Sequence, residues 1–100
     1  MVAITAKVPI EVLAEFCQRH HITRLALFGS MIRGDYTPES DIDVLVDFEP
    51  HHVPGLAIID MADELTQLFG GRRVDLVTRK SINHRLRQSI EDSAVVLYEE

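Results

Sequence analysis

Apolar residues recur along the chain with two periods, and the order of these periods predicts a small α/β domain. Helical spacing predicts a helix over residues 9–20, with Pro9 in its first turn, and a longer helix over residues 55–69. Compact apolar runs over residues 22–28 and 41–48 are typical of strands. In the second run, alternation places the aspartates on one face and Ile, Val and Phe on the other.

The same pattern continues to the end of the chain. Residues 72–78 predict a third strand, residues 81–92 a last helix with Ser81 as its N-cap, and residues 94–98 a closing strand, which we expect at a sheet edge. A short helix or turn is expected over residues 30–34. Helix and strand thus alternate four times, which predicts an α/β (α+β) fold with a small mixed β-sheet and helices against one or both faces.

The helices offer apolar faces for one core. In the helix over residues 55–69, the predicted apolar face consists of Leu56, Ile59, Ala62, Leu65 and Leu68 or Phe69. Cys17 falls within the apolar face of the first helix, and we expect it to be a small buried residue rather than a nucleophile.

Length and charge limit the function. One hundred residues predict a single domain, 1–100, with one modest core. Ten basic against 16 acidic residues argue against direct nucleic-acid binding, which needs excess cations. The single cysteine suits a reducing compartment, and no apolar run is long enough for a membrane span. We therefore expect a cytoplasmic protein without membrane contact.

Candidate chemistry lies in the stretch FGSMIRGDYTPESDIDVLVDF. Asp41 and Asp43 share one face of a predicted strand, where two ionised carboxylates repel each other. A bound Mg²⁺ removes this repulsion, because it takes oxygen ligands. Asp75, in the third predicted strand, supplies a third carboxylate if the two strands pair, and three acids can hold two metal ions. Asp47 shares the face but lies at the far end of the strand, so we expect it to be solvated.

A glycine and a serine upstream complete the pattern. Gly29 and Ser30 end the first strand and open a turn whose free N–H groups attract phosphate, although Ser30 is also compatible with an N-cap. Arg33, one turn on, can bind phosphate or pair with a nearby acid. A loop that holds a triphosphate and acids that hold Mg²⁺ are the requirements of phosphoryl or nucleotidyl transfer.

The spacing Gly-Ser, ten residues, Asp-x-Asp, followed by the acid of VDLV, resembles the signature of the DNA polymerase β nucleotidyltransferase superfamily. Over nearly its whole length the chain is similar to the minimal nucleotidyltransferases (MNT), antitoxins that accompany HEPN toxins. The resemblance implies a polymerase β-like nucleotidyltransferase core. It also implies that Gly29 and Ser30 bind the triphosphate, that Asp41 and Asp43 ligate Mg²⁺, and that Asp75 completes the metal site near the acceptor.

The resemblance further implies a donor, an acceptor and a partner. In the family ATP is the donor, and adenylylation of a tyrosine silences the partner, a HEPN-family RNase toxin. Three alternatives remain open: neutralisation of the partner by steric binding alone, a phosphoacceptor receiver-like domain, and nucleotidylation of a small molecule. Two adjacent histidine pairs, His20–His21 and His51–His52, lack zinc-type spacing and are expected at a helix end and in a loop.

Overall fold

The computed structural model describes residues 8–29, 41–52 and 54–100. The helices are α1 (Ile10–Arg19), α2 (Ala57–Leu68) and α3 (His84–Ser93), with a short 3-10 helix at Arg79–Ser81. The strands are β1 (Ile22–Phe28), β2 (Ile42–Phe48), β3 (Val74–Thr78) and β4 (Val95–Glu99). Every predicted element that falls on described residues is present. The expected turn over residues 30–34 lies outside them, and no helix in the described ranges is long and apolar enough to cross a membrane.

The strands form one mixed sheet with the order β3-β2-β1-β4. β1 pairs antiparallel with both β2 and β4, whereas β2 and β3 pair in parallel. A parallel pair needs a long crossover, and α2 provides it. The predicted mixed sheet is confirmed, and β4 lies at an edge as expected.

One face of the sheet packs against α1 and α2 and forms the main core. Phe16 and Cys17 of α1 meet Leu25 and Val44 of the two central strands, and all four are fully buried. Cys17 is therefore the buried packing residue that its position predicts, and burial raises the pKa of its thiol to about 12. A neutral, enclosed thiol is a poor nucleophile.

The predicted apolar face of α2 was wrong in part. Leu56 is 84% exposed and Ile59 is 59% exposed, whereas Met61, Leu65 and Phe69 are buried. Because successive residues turn by about 100° around a helix, Ile59 lies about 200° from Met61. Apolar residues surround α2 on most sides, so spacing alone did not identify the side that faces the sheet.

The predicted N-cap of the last helix was also wrong. α3 begins at His84, and its cap is Asn83, whose side chain accepts a hydrogen bond of 3.0 Å from the Arg85 N–H. Ser81 belongs to the preceding 3-10 turn, where its hydroxyl donates to the Thr78 carbonyl at 2.8 Å. Three residues between β3 and α3 thus form a turn of their own.

Candidate active site

Asp43 and Asp75 are direct neighbours on adjacent strands. The parallel register of β2 and β3 pairs Asp43 with Asp75, which puts both side chains on the same face of the sheet. Paired residues on neighbouring strands are about 5 Å apart at their backbones. The strand pairing on which the predicted third carboxylate depended is therefore present.

Asp41 lies one residue before β2, two positions from Asp43. The N–H of Ile42 donates to the carbonyl of Arg73 at 2.8 Å, which ties this end of β2 to the segment before β3. Asp41 and Asp75 are exposed and Asp43 is partly buried, so the three carboxylates line an accessible end of the sheet.

Gly29 follows β1 and lies against Asp43, as expected of a residue that allows close backbone approach. Its φ of +78° is in the left-handed region, which favours glycine. A Cβ at this position would overlap Oδ2 of Asp43 and lie 3.2 Å from its Cγ. The first strand thus ends beside the carboxylates, as Gly-Ser before Asp-x-Asp predicts. Ser30 and Arg33 lie outside the described residues.

A cavity of about 330 Å³ opens beside Gly29 and Asp43. Its other wall is α3, which contributes Leu86, Ser89, Ile90 and Ser93. These four residues were not predicted as part of the site. Their signal is the repeated spacing of four, Leu86 to Ile90 and Ser89 to Ser93, which places one apolar and one hydroxyl row on neighbouring sides of a helix.

The three aspartates are not among the groups with closely placed ligand atoms. Among the described residues, the three whose ligand atoms lie within 4.8 Å of one another are His21, Glu49 and His52, far from this end of the sheet. Oxygens of Asp41, Asp43 and Asp75 therefore do not all approach that closely. That all three share one metal site stays a prediction.

The prediction that Asp47 is solvated was wrong. Its two oxygens accept hydrogen bonds from Arg79, from Nε at 2.7 Å and from Nη2 at 3.1 Å. The hydrogen bond to Asp47 raises the pKa of Arg79, whose guanidinium also pairs with Glu91 of α3. This arginine joins the far end of β2 to α3, and α3 in turn forms the cavity wall.

The family model for the nucleotidyltransferase domain matches residues 10–97. The chain belongs to the nucleotidyltransferase family. It is 37% identical over 79 residues to the protein MJ1379 of Methanocaldococcus jannaschii, covering 77% of this chain and 78% of that protein. It is 33% identical over 76 residues to the protein adenylyltransferase MntA of Thermococcus cleftensis, covering 76% of this chain and 75% of that protein. The predicted resemblance is confirmed.

Solved structures share the nucleotidyltransferase fold. A structure described as a minimal nucleotidyltransferase is 34% identical, has a TM-score of 0.71 and covers 86% of both chains. A toxin–antitoxin structure with AMP-PNP has a TM-score of 0.72 at 22% identity, covering 93% of this chain and 75% of that chain. A complex of tri-AMPylated Shewanella oneidensis HEPN toxin with MNT antitoxin has a TM-score of 0.65 at 20% identity, covering 100% of this chain and 74% of that chain. At these lower identities the likeness shows the fold.

Proposed function

We propose that this nucleotidyltransferase transfers AMP from ATP, with Mg²⁺, to a tyrosine hydroxyl of a HEPN-family RNase toxin and thereby acts as its antitoxin in the cytoplasm. The observation that carries the proposal is the junction of Gly29 with Asp43, which itself pairs with Asp75. It joins a phosphate-attracting strand end to a pair of acids, the two parts that nucleotidyl transfer needs.

The reaction is an in-line displacement. The acceptor oxygen forms a bond to the α-phosphorus of ATP, the bond from that phosphorus to the bridging oxygen breaks, and pyrophosphate leaves. Asp75, exposed at the outer strand, accepts the proton of the acceptor hydroxyl. Gly29 and Ser30 hold the triphosphate, and the positive charge of Arg33 strengthens its binding.

Carboxylates of the three aspartates fit Mg²⁺ because all are oxygen donors and lie at an accessible sheet end. Asp41, Asp43 and Asp75 would hold the metal, as two ions in our proposal. When bound, Mg²⁺ neutralises charge that develops on the phosphate oxygens. The aspartates themselves fix the position of that charge relative to the strand end at Gly29.

The cavity beside α3 supports nucleotide binding. Its 330 Å³ lie next to Gly29, and the side chains of Leu86 and Ile90 give it an apolar wall. Ser89 and Ser93 add hydroxyl groups that can donate hydrogen bonds. We assign this cavity to the nucleoside part of ATP, since an apolar wall with a few polar groups is typical of such sites.

Solved relatives with this fold support a HEPN toxin as the partner. One solved relative is a complex of MNT antitoxin with tri-AMPylated HEPN toxin, and another toxin–antitoxin structure contains AMP-PNP. The test is incubation of the purified protein with labelled ATP, Mg²⁺ and the product of the neighbouring gene, which our proposal expects to be a HEPN-family toxin. We expect label on the partner and loss of its RNase activity. An intact complex without label transfer would contradict the proposal.

Steric neutralisation is a second candidate function. Leu56, directly before α2, and Ile59 of α2 have exposed side chains that favour it, because large apolar residues outside the core suit a protein interface. The double variant D41N/D43N discriminates the two functions while keeping side-chain size. If this variant binds the toxin and still silences it, covering the partner is sufficient. If binding persists and RNase activity returns, catalysis is required.

A further inference from the structure

Two histidines and a glutamate come together at the end of the sheet opposite the carboxylates. His21 lies in the turn before β1, Glu49 follows β2, and His52 lies in the next loop. Since β1 and β2 are antiparallel and seven residues long, this group is about 20 Å from Gly29. It is therefore separate from the proposed active site.

The fold splits the adjacent histidines, as neighbours in a chain are expected to diverge. His20 contacts Glu64 at 3.1 Å, from Nε2 to Oε1. His21 turns the other way, and its Nδ1 lies 3.0 Å from Oε2 of Glu49. Sequence spacing gave no metal signal here, because the ligand set takes one histidine from each pair and a glutamate between them.

The three side chains are close enough to share an ion. The rings of His21 and His52 stack with centroids 3.9 Å apart and planes 16° apart. One ligand atom from each of His21, Glu49 and His52 lies within 4.8 Å of the others. Ligands at tetrahedral angles around Zn²⁺, about 2.0–2.1 Å from it, are about 3.3 Å from one another. Because the lone pair of an imidazole nitrogen lies in the plane of its ring, binding of one ion requires these two exposed rings to rotate out of the stacked arrangement.

Backbone hydrogen bonds hold the three residues in place. The Glu49 N–H donates to the His21 carbonyl at 2.8 Å, and the His52 N–H donates to the Glu49 carbonyl at 3.1 Å. His21 also has a φ of +59°, in the left-handed region that few residues other than glycine adopt. The relative positions of the ligands are thus set by the main chain and not only by flexible side chains.

We propose that His21, Glu49 and His52 bind one divalent transition-metal ion of the Zn²⁺ class. Two imidazole nitrogens and one carboxylate oxygen suit Zn²⁺, Co²⁺ or Ni²⁺, whereas Mg²⁺ prefers an all-oxygen shell. The ion links the turn after α1 to the loop after β2, and so stabilises the native fold when present.

The experiment is a calorimetric titration of the tag-free protein with Zn²⁺ in excess Mg²⁺, which occupies oxygen-rich sites. Co²⁺ titration followed by visible absorption reports the nitrogen ligands. We expect one equivalent to bind and the thermal midpoint to rise. His21→Asn, Glu49→Gln and His52→Gln should each weaken binding by at least about tenfold, the loss typical of removing even an outer partner of a metal.

His51→Asn is the matched control. His51 has a φ of +69° beside His21 at +59°, and asparagine tolerates both, so H21N and H51N carry similar backbone demands. Of H21N and H51N, only H21N should weaken ion binding, and D41N/D43N should bind the ion as the unaltered protein does. Absence of stoichiometric binding, equal loss in H21N and H51N, or loss in D41N/D43N overturns the proposal. If H21N fails to fold, E49Q and H52Q decide, because neither position has positive φ.

Discussion

Replacing Gly29 by alanine tests the contact at the centre of the proposed active site. At a φ of +78° the new Cβ is strained, and it would also overlap Oδ2 of Asp43. The backbone strain costs about 1–2 kcal/mol. Displacing the carboxylate costs about 1–3 kcal/mol more, the range for overpacking, and moves it from the ligand position that we propose. We expect G29A to unfold at lower urea concentration and to lose most adenylyl transfer.

Gly70 provides the control for backbone strain. Its φ is also +78°, but a Cβ there has nothing within 4 Å. Gly70→Ala should therefore lose only the stability that backbone strain costs, and it should keep its activity. In the background of Asp43→Ala, which removes both the overlapping oxygen and the Cγ at 3.2 Å, the stability cost of G29A should fall to that of G70A. Equal urea midpoints for G29A and G70A in the unaltered background would refute the reasoning.

Three further predictions concern other groups. Asp75→Asn should reduce transfer at least about 100-fold, as measured with labelled ATP, without changing the melting temperature, because Asp75 is exposed. Arg79→Met should lower stability by about 1 kcal/mol by releasing α3 from Asp47, seen as a lower melting temperature; an unchanged value would contradict this link. Glu64 has its pKa lowered, chiefly by its hydrogen bond with Arg19 and also by that with His20. It therefore stabilises the fold above the ordinary carboxyl pKa and loses this effect as pH falls through the lowered value. Glu64→Gln should cost about 0.5 kcal/mol in neutral urea titrations and nothing in acid.

Strand positions were predictable because local sequence dominates them. The runs that form β1 and β2 are rich in branched and aromatic residues, and their bounds matched to within one residue. The face of α2 was not predictable, since Leu56 and Ile59 are as apolar as the residues that pack. The packing of α2 in the folded protein decides which of its sides faces the sheet. The spacing of apolar residues along the chain does not determine that side.

The candidate site also combines features that local sequence determines with features that depend on tertiary packing. Asp41 and Asp43 share a face by strand geometry alone, but their relation to Asp75 depended on which strands pair. The link from Asp47 to Arg79 joins residues 32 positions apart, so Asp47 alone gave no sign of its partner. The wall formed by α3 likewise appears only when the helix packs over β1.

The parallel pairing of β2 and β3 has a consequence for when the protein becomes competent during folding. Gly29 directly follows β1 and Asp43 lies in β2, and because these neighbouring strands are antiparallel the two residues can meet early. Asp75 reaches Asp43 only after α2 has crossed the sheet and β3 has docked. A nascent or partly folded chain therefore brings Gly29 and Asp43 together without Asp75, and adenylyl transfer awaits completion of the crossover.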